Sequence, residues 1–221
     1  MSYLLSKSKY IRGLQCRRAL WLDVHSPRLA RYSAEQMRLF DHGRSFEYNF
    51  KATFPDGIDV SAALGRDINA YPAHTATLLD GDGEVSLFEA GFLYDDVLVL
   101  ADVVHKHADG QLDIYEVKSG NTLSDTYKRD AALQHYVISH CRKIATFSIV
   151  YNDGLGGFVT EEFSEEFRSA HDEIATNIAA MKDVVLAGTE PDITPGGHCL
   201  TPYACPYQHH CNEGCRQLGL F

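Results

Sequence analysis

The chain predicts an α/β (α+β) fold: a mixed central sheet flanked by helices, with a cysteine-rich C-terminal tail closing on the N-terminal segment. Three observations lead there. Short β-rich runs between about residues 73 and 118 are separated by Asp-Gly turns, segments of helical spacing stand on both sides of them, and residues 191–221 hold Pro, Gly, Cys and His but too few apolar side chains for a core of their own.

Each element has its own signal. Ser6 to Leu22 is basic and interleaves aromatic with aliphatic residues, which predicts a short helix. Ser33-Ala34-Glu35-Gln36 opens a second helical pattern, capped by the serine, with Met37, Phe40, Phe46 and Phe50 as its apolar positions and Pro55-Asp56-Gly57 as its stop. Strands are predicted at His74 to Leu79, Val85 to Tyr94, Val97 to His105 and Gln111 to Lys118, forming an antiparallel meander. Ser124 to Cys141 returns to helical spacing, and two strands follow around the turn Asn152-Asp153-Gly154. From Ser164 a last helix carries Glu165 and Glu166 in its first turn, where carboxylates suit the dipole, and buries Phe167, His171, Ile174, Ile178, Met181 and Val185 as one stripe. The expected organisation is a basic segment over 1–32, a core over 33–190 and the tail over 191–221.

A chain of 221 residues that is 45% hydrophobic and 23% charged can bury a sizeable core, which excludes wholesale disorder and fibrous repeats. No apolar run reaches the roughly 18 residues of a membrane span, and Met1 to Lys7 lacks the apolar stretch of a signal peptide, so a cytoplasmic protein without a membrane partner is expected. A net charge of −10 argues against a surface that coats nucleic acid nonspecifically. A local groove is still open to it: Lys7, Lys9, Arg12, Arg17 and Arg18 are concentrated enough to form one phosphate-binding edge. Six cysteines without an export signal read as metal ligands or core residues rather than as disulfides.

The chemistry-bearing stretch runs from Asp102 to Lys118. Glu116 and Lys118 stand at i and i+2 of a strand and share a face, while Val117 points away. A three-residue loop at Ala108 to Gly110 pairs His107 with Gln111, and the same register sets Asp102 opposite Glu116. Two carboxylates and an ammonium then converge as a phosphodiester-hydrolysing site requires: the acids hold Mg²⁺ or Mn²⁺, and the lysine orients or deprotonates water or offsets charge on phosphate. Gln134, polar between Leu133 and Val137 on the helix above, calls for a partner.

Asp102 followed after a hairpin by Glu116-Val117-Lys118 resembles the PD-(D/E)XK nuclease superfamily, and the likeness implies a restriction-endonuclease-like core. Gly43-Arg44-Ser45-Phe46-Glu47 is similar to the Gly-x-x-x-His/Glu element of the RecB-like branch, which implies Glu47 as a metal ligand. The same branch implies a Gln and a Tyr on the next helix, matched by Gln134 and Tyr136. Tyr136 stands two residues after Gln134 rather than four, and Tyr127 is the alternative.

Cys199, Cys205 and Cys211 follow one another with five residues between, in a tail that burial cannot hold, which makes a metal centre the default reading. Cys16 would join that tail to the basic segment. One N-terminal cysteine and three C-terminal ones around such a core resemble the iron–sulfur nucleases, including AddB-type helicase-nuclease subunits and CRISPR-adaptation exonucleases. The resemblance implies a structural 4Fe–4S cluster on Cys16, Cys199, Cys205 and Cys211. Cys215 with His198, His209 or His210 keeps zinc open. Cys141 reads as a small core residue. The whole implies a metal-dependent exonuclease for single-stranded DNA or DNA ends, in CRISPR adaptation or in DNA repair and recombination, with a nuclease–helicase or CRISPR integrase complex as partner. The alternative is a non-cleaving, zinc-holding nucleic-acid-binding or assembly module.

Overall fold

The structure, a computed structural model, describes residues 4–33 and 45–217, with side chains up to residue 213. The chain divides into two compact units, Met1–Lys7 with Arg38–His171 and Ser8–Met37 with Asp172–Phe221. The sequence placed residues 172–190 with the core; in the structure they go with the N-terminal segment and the tail.

The first unit is an α/β arrangement with a seven-stranded mixed sheet. Its strands are β1 (Leu5–Ser6), β2 (Ile58–Asp59), β3 (Val85–Tyr94), β4 (Val97–Lys106), β5 (Leu112–Lys118), β6 (Ile144–Asn152) and β7 (Phe158–Glu162). They lie in the order β2-β3-β4-β5-β6-β7, with β1 added parallel to the start of β4. The β3, β4 and β5 pairings are antiparallel, as the turn signals predict, and β5 to β6 is a parallel crossover. The hairpin keeps the expected register, with Val103 opposite Tyr115 and Lys106 opposite Leu112.

That pairing stops at Val103, and β1 pairs with the same edge of β4 only at Val97 and Leu98. Between them β4 lies in a fork. Asp102 sits at the fork, with the C-terminal half of β5 on one side and Lys7, the residue after β1, on the other.

Two helical segments cover the fork. Residues 45–51 (α3) pack Phe46 and Phe50 against Val103, Val117 and Val150, the face to which Val117 turns. The expected capping sequence Ala34 to Gln36, with Met37, Phe40 and Gly43, lies outside the described residues. Helix α6 (Asp125–Cys141) is N-capped by Ser124 and buries Ala131 through Ile138.

One predicted strand is a helix. His74 to Leu79 belongs to α5 (Tyr71–Leu79), which comes after α4 (Val60–Leu64). Pro72 presets the first turn, and Thr75 accepts the Gly91 N–H through its hydroxyl at 2.8 Å. Tyr71 leans so closely on Gly91 that a Cβ there would stand 2.5 Å from the Tyr71 Cβ.

Two other predicted helices are divided. The N-terminal one is α1 (Lys7–Gln15) and α2 (Arg17–His25), because Cys16 is extended and serves as N-cap of α2. The stripe from Ser164 is α7 (Ser164–Ser169) and α8 (His171–Leu186), where the Ser169 hydroxyl bonds back to the Glu166 carbonyl.

In the second unit the tail buries Tyr207 and Cys211 against Ala19 and Leu22, and polar anchors add to that contact. The Gln15 amide donates to the His198 and Tyr203 carbonyls at 2.8 and 2.7 Å, and the Arg31 N–H donates to the Pro206 carbonyl at 2.9 Å. Tyr207, 1% exposed, donates to Asp23 at 2.5 Å. The tail ends in α9 (Gln208–Gln217). No described helix is long and apolar enough to cross a membrane.

Gly91→Ala pushes a methyl group into the backbone of Tyr71 and Pro72. It should cost about 1–3 kcal/mol in urea denaturation, whereas unchanged stability would show that α5 does not seat on β3 in this way.

Candidate active site and metal centre

Glu116 is 1% exposed, and two ammonium groups reach it. Lys118 donates to Oε1 at 2.6 Å, and Lys7 donates to Oε1 and Oε2 at 3.2 and 3.4 Å. Lys118 also donates to Asp130 on α6 at 2.6 Å, so the buried charges alternate along Lys7, Glu116, Lys118 and Asp130. Burial alone would raise the Glu116 carboxyl, but Lys118 and Lys7 override it and hold the group well below the carboxylate range. Burial would likewise lower both lysines; their acidic neighbours, Asp130 and Glu116 foremost for Lys118 and Glu116 for Lys7, raise them instead.

Asp102 behaves in the opposite way. Burial, with Glu116 next to it, pushes its carboxyl well above the ordinary value. Its Oδ2 accepts the Val117 N–H at 2.7 Å where the β4–β5 pairing ends. A carboxylate oxygen of Asp102 and one each of Glu47 and Glu89 lie within 4.8 Å of one another. Lys51 donates to Glu89 at 2.7 Å and pairs with Glu47, and although burial opposes it, those two acids raise its ammonium to about 12.

Glu89 is the residue that sequence reading missed. It interrupts the β3–β4 ladder between the pairs Phe88–Val103 and Ala90–Ala101, and its φ is +54°. A non-glycine residue held in the left-handed region costs on the order of 1–3 kcal/mol and persists where its surroundings over-determine it. Here Lys51 pins the side chain beside Asp102. The available signal was one acid inside the apolar run Leu87-Phe88-Glu89-Ala90. Lys51, one turn after Glu47, and Asp130, one turn before Gln134, were equally readable from helical spacing.

The sequence expected Glu47, Asp102 and Glu116 to share the ion. The structure groups Glu47 and Asp102 with Glu89, and engages Glu116 with ammonium groups. With all five carboxylates Glu47, Glu89, Asp102, Glu116 and Asp130 ionised, the three ammoniums Lys7, Lys51 and Lys118 would leave two negative charges, the deficit one divalent cation would fill.

Gln134 is completely buried over Glu116 and adds to the pull on its carboxylate, yet neither Oε1 nor Nε2 completes a hydrogen bond of ordinary geometry among the described residues. Tyr136 lies elsewhere, in a ring cluster with Tyr94, His140 and His171. Tyr127, on the stripe of Asp130 and Gln134, presents its ring 5.4 Å from the Lys118 ammonium.

The expected basic edge is differently employed. Lys7 is part of the buried charge chain. In the second unit Arg12 pairs with Asp23 at 3.3 Å, Arg17 donates to the Asn177 side chain at 3.2 Å, and Arg18 donates to Glu190 and the Ile193 carbonyl. Burial lowers the Lys9 ammonium, against the pull of Asp23.

Four cysteines gather in that unit. Cys16 and Cys205 pack against Cys211, and the Cys205 N–H donates to the Cys199 carbonyl at 2.8 Å. Cys16, Cys199 and Cys205 all act electrostatically on Cys211, whose thiol burial pushes up to about 11. Among the described residues no three of these thiols lie within 4.8 Å of one another, whereas Zn–S bonds of about 2.3 Å would bring tetrahedral sulfurs to roughly 3.8 Å. The side chain of Cys215 lies outside the described residues. Cys141, in the first unit, is half-buried and donates its thiol to the Leu93 carbonyl at 3.5 Å.

A solved structure titled "Crystal structure of SSO0001" is similar to this chain over 96% of its length and 87% of that chain, with a TM-score of 0.49 and 12% identity. No family model and no curated protein matches the chain.

Two predictions follow from the buried groups. Gln134→Met removes a buried amide that completes no hydrogen bond of ordinary geometry among the described residues and should raise stability by about 1 kcal/mol; a loss of stability in urea would mean the amide is satisfied. Glu116 holds its proton less tightly folded than unfolded, so its contribution is present above the unfolded value near 4.5 and is lost as pH falls below it. Glu116→Gln should therefore cost roughly 3 kcal/mol at pH 7 and flatten the acid limb of the stability–pH curve. An unchanged limb would contradict the assignment.

Proposed function

We propose that the chain is a metal-dependent deoxyribonuclease on a restriction-endonuclease-like core, with a structural 4Fe–4S cluster held by Cys16, Cys199, Cys205 and Cys211. The observation that carries the reading is the meeting of Glu47, Glu89 and Asp102 beside the Glu116–Lys118 pair, under an unpartnered Gln134. A hard divalent cation, Mg²⁺ or Mn²⁺, would polarise a phosphoryl oxygen there and lower the pKa of water.

Glu47, Glu89 and Asp102 would hold the ion, displacing Lys51, with Glu116 at its margin. Lys118 is held as an ammonium, so it offsets charge developing on phosphate rather than taking a proton. Gln134 can donate to a phosphate oxygen or orient water, which gives its amide the partner it lacks. Single-stranded DNA or DNA ends are the proposed substrate, in CRISPR adaptation or in repair and recombination. The thiols would serve as a clasp for the tail, as cysteine thiolates do when they hold an iron–sulfur cluster.

The test is cleavage of end-labelled single strands with Mn²⁺ by anaerobically purified protein. Brown protein that cuts, with activity down at least 100-fold in Glu116→Ala, Lys118→Ala and Glu89→Ala but intact in Cys141→Ala, is expected. Colourless, zinc-containing protein that binds strands without cutting them would instead favour the non-cleaving module.

A further inference from the structure

A second cluster of ligand atoms, outside the acidic site, lies where β3 begins and β4 ends. One carboxylate oxygen of Glu84, one ring nitrogen of His105 and one of His107 fall within 4.8 Å of one another. His105 alternates with Val104 along β4 and so shares the sheet face of Val103, which α3 covers; His107 follows the last residue of β4. Glu116 and Gln134 occupy the opposite face.

What separates this cluster from a chance meeting of surface side chains is the layer behind it. The His105 Nδ1 is 2.9 Å from the Ser86 hydroxyl across the β3–β4 ladder, which orients Nε2 as the ligand atom. The His107 Nε2 is 2.7 Å from Asp113 Oδ2, which orients Nδ1 in the same role. Asp113 is itself fixed, since the Thr146 hydroxyl on β6 donates to its other oxygen at 2.6 Å. The two rings stand edge to face with centroids 4.9 Å apart, and Phe54 lies against His105. Histidines that bind metals are oriented in this manner, through the ring nitrogen that the metal does not use.

We propose that Glu84, His105 and His107 form a site for a first-row transition-metal ion of the Zn²⁺ class, distinct from the hard-cation site at Asp102. Two imidazoles and one carboxylate suit such an ion and not Mg²⁺ or Ca²⁺, which prefer oxygen throughout. Three protein ligands leave one coordination position of a tetrahedral ion to water or to an exogenous group. Binding would also tie the Asp80–Gly83 turn to the end of β4.

Calorimetric titration of Zn²⁺ into the reduced, metal-stripped full chain tests this. Wild-type protein and Asp102→Asn should each take up one zinc equivalent that His105→Ala, His107→Ala and Glu84→Gln lack, and excess Mg²⁺ should not compete for it. Asp113→Asn should weaken that equivalent by about 10–100-fold, which a casual pair of surface histidines would not show. Glu84 is exposed and precedes the strand, so its variant reports even where a histidine variant folds poorly. Zinc uptake of wild-type stoichiometry and affinity in Glu84→Gln and the folded histidine variants would overturn the proposal.

Discussion

Glu116 is an ionised carboxylate with almost no access to water, and it is tolerable there only because ammonium groups reach it from two directions. Lys118 arrives from the same strand two residues on, and Lys7 from the start of α1. Removing either would leave a charge whose burial is not compensated, a loss larger than any single apolar contact in the sheet. The fork in β4 follows from this pairing. Were the β4–β5 ladder to continue past Val103, Asp102 would not be free to accept the Val117 N–H, and Lys7 would have no gap through which to reach Glu116.

Around that pair the first unit holds a deliberate surplus of negative charge. Lys51 satisfies Glu47 and Glu89 only in part, and burial pushes both Glu89 and Asp102 toward their protonated forms. A bound divalent cation would let all three ionise and would relieve the conflict. The left-handed backbone at Glu89 and the buried amide of Gln134 belong to the same pattern: each is unfavourable for folding alone, and a bound ligand would account for both. The second unit solves a different problem. Its tail contributes only Tyr207 and Cys211 to a small apolar cluster with Ala19 and Leu22, and the Gln15 amide and the Tyr207–Asp23 bond add polar anchors to it.

Much of the first unit was legible because strand period and hairpin length act locally. The three-residue loop before Gln111 sets the β4–β5 register, and with it the approach of Asp102 to Glu116. The 3.6-residue period places Gln134 over the site, and the same period separates Tyr136 from it while aligning Tyr127, a consequence visible in the spacing. Glu89 was hidden because its role depends on a break in the ladder, which alternation cannot announce. His74 to Leu79 misled through two β-branched threonines: the Thr77 hydroxyl bonds back to the Ala73 carbonyl within the helix, and the Thr75 hydroxyl reaches across to the Gly91 N–H on β3. The employment of Arg12, Arg17 and Arg18 within their own unit depends on partners far along the chain, Asp23 excepted, and no local pattern names Asn177 or Glu190.

The account turns on whether the Glu47, Glu89 and Asp102 oxygens form a cation site from which Lys51 can be displaced. Crystals soaked in Mn²⁺ and measured at an anomalous wavelength address this directly. The account predicts one manganese peak among those three carboxylates, with the Lys51 ammonium withdrawn from Glu89. An empty position, with Lys51 still bridging Glu47 and Glu89 at saturating Mn²⁺, would contradict it.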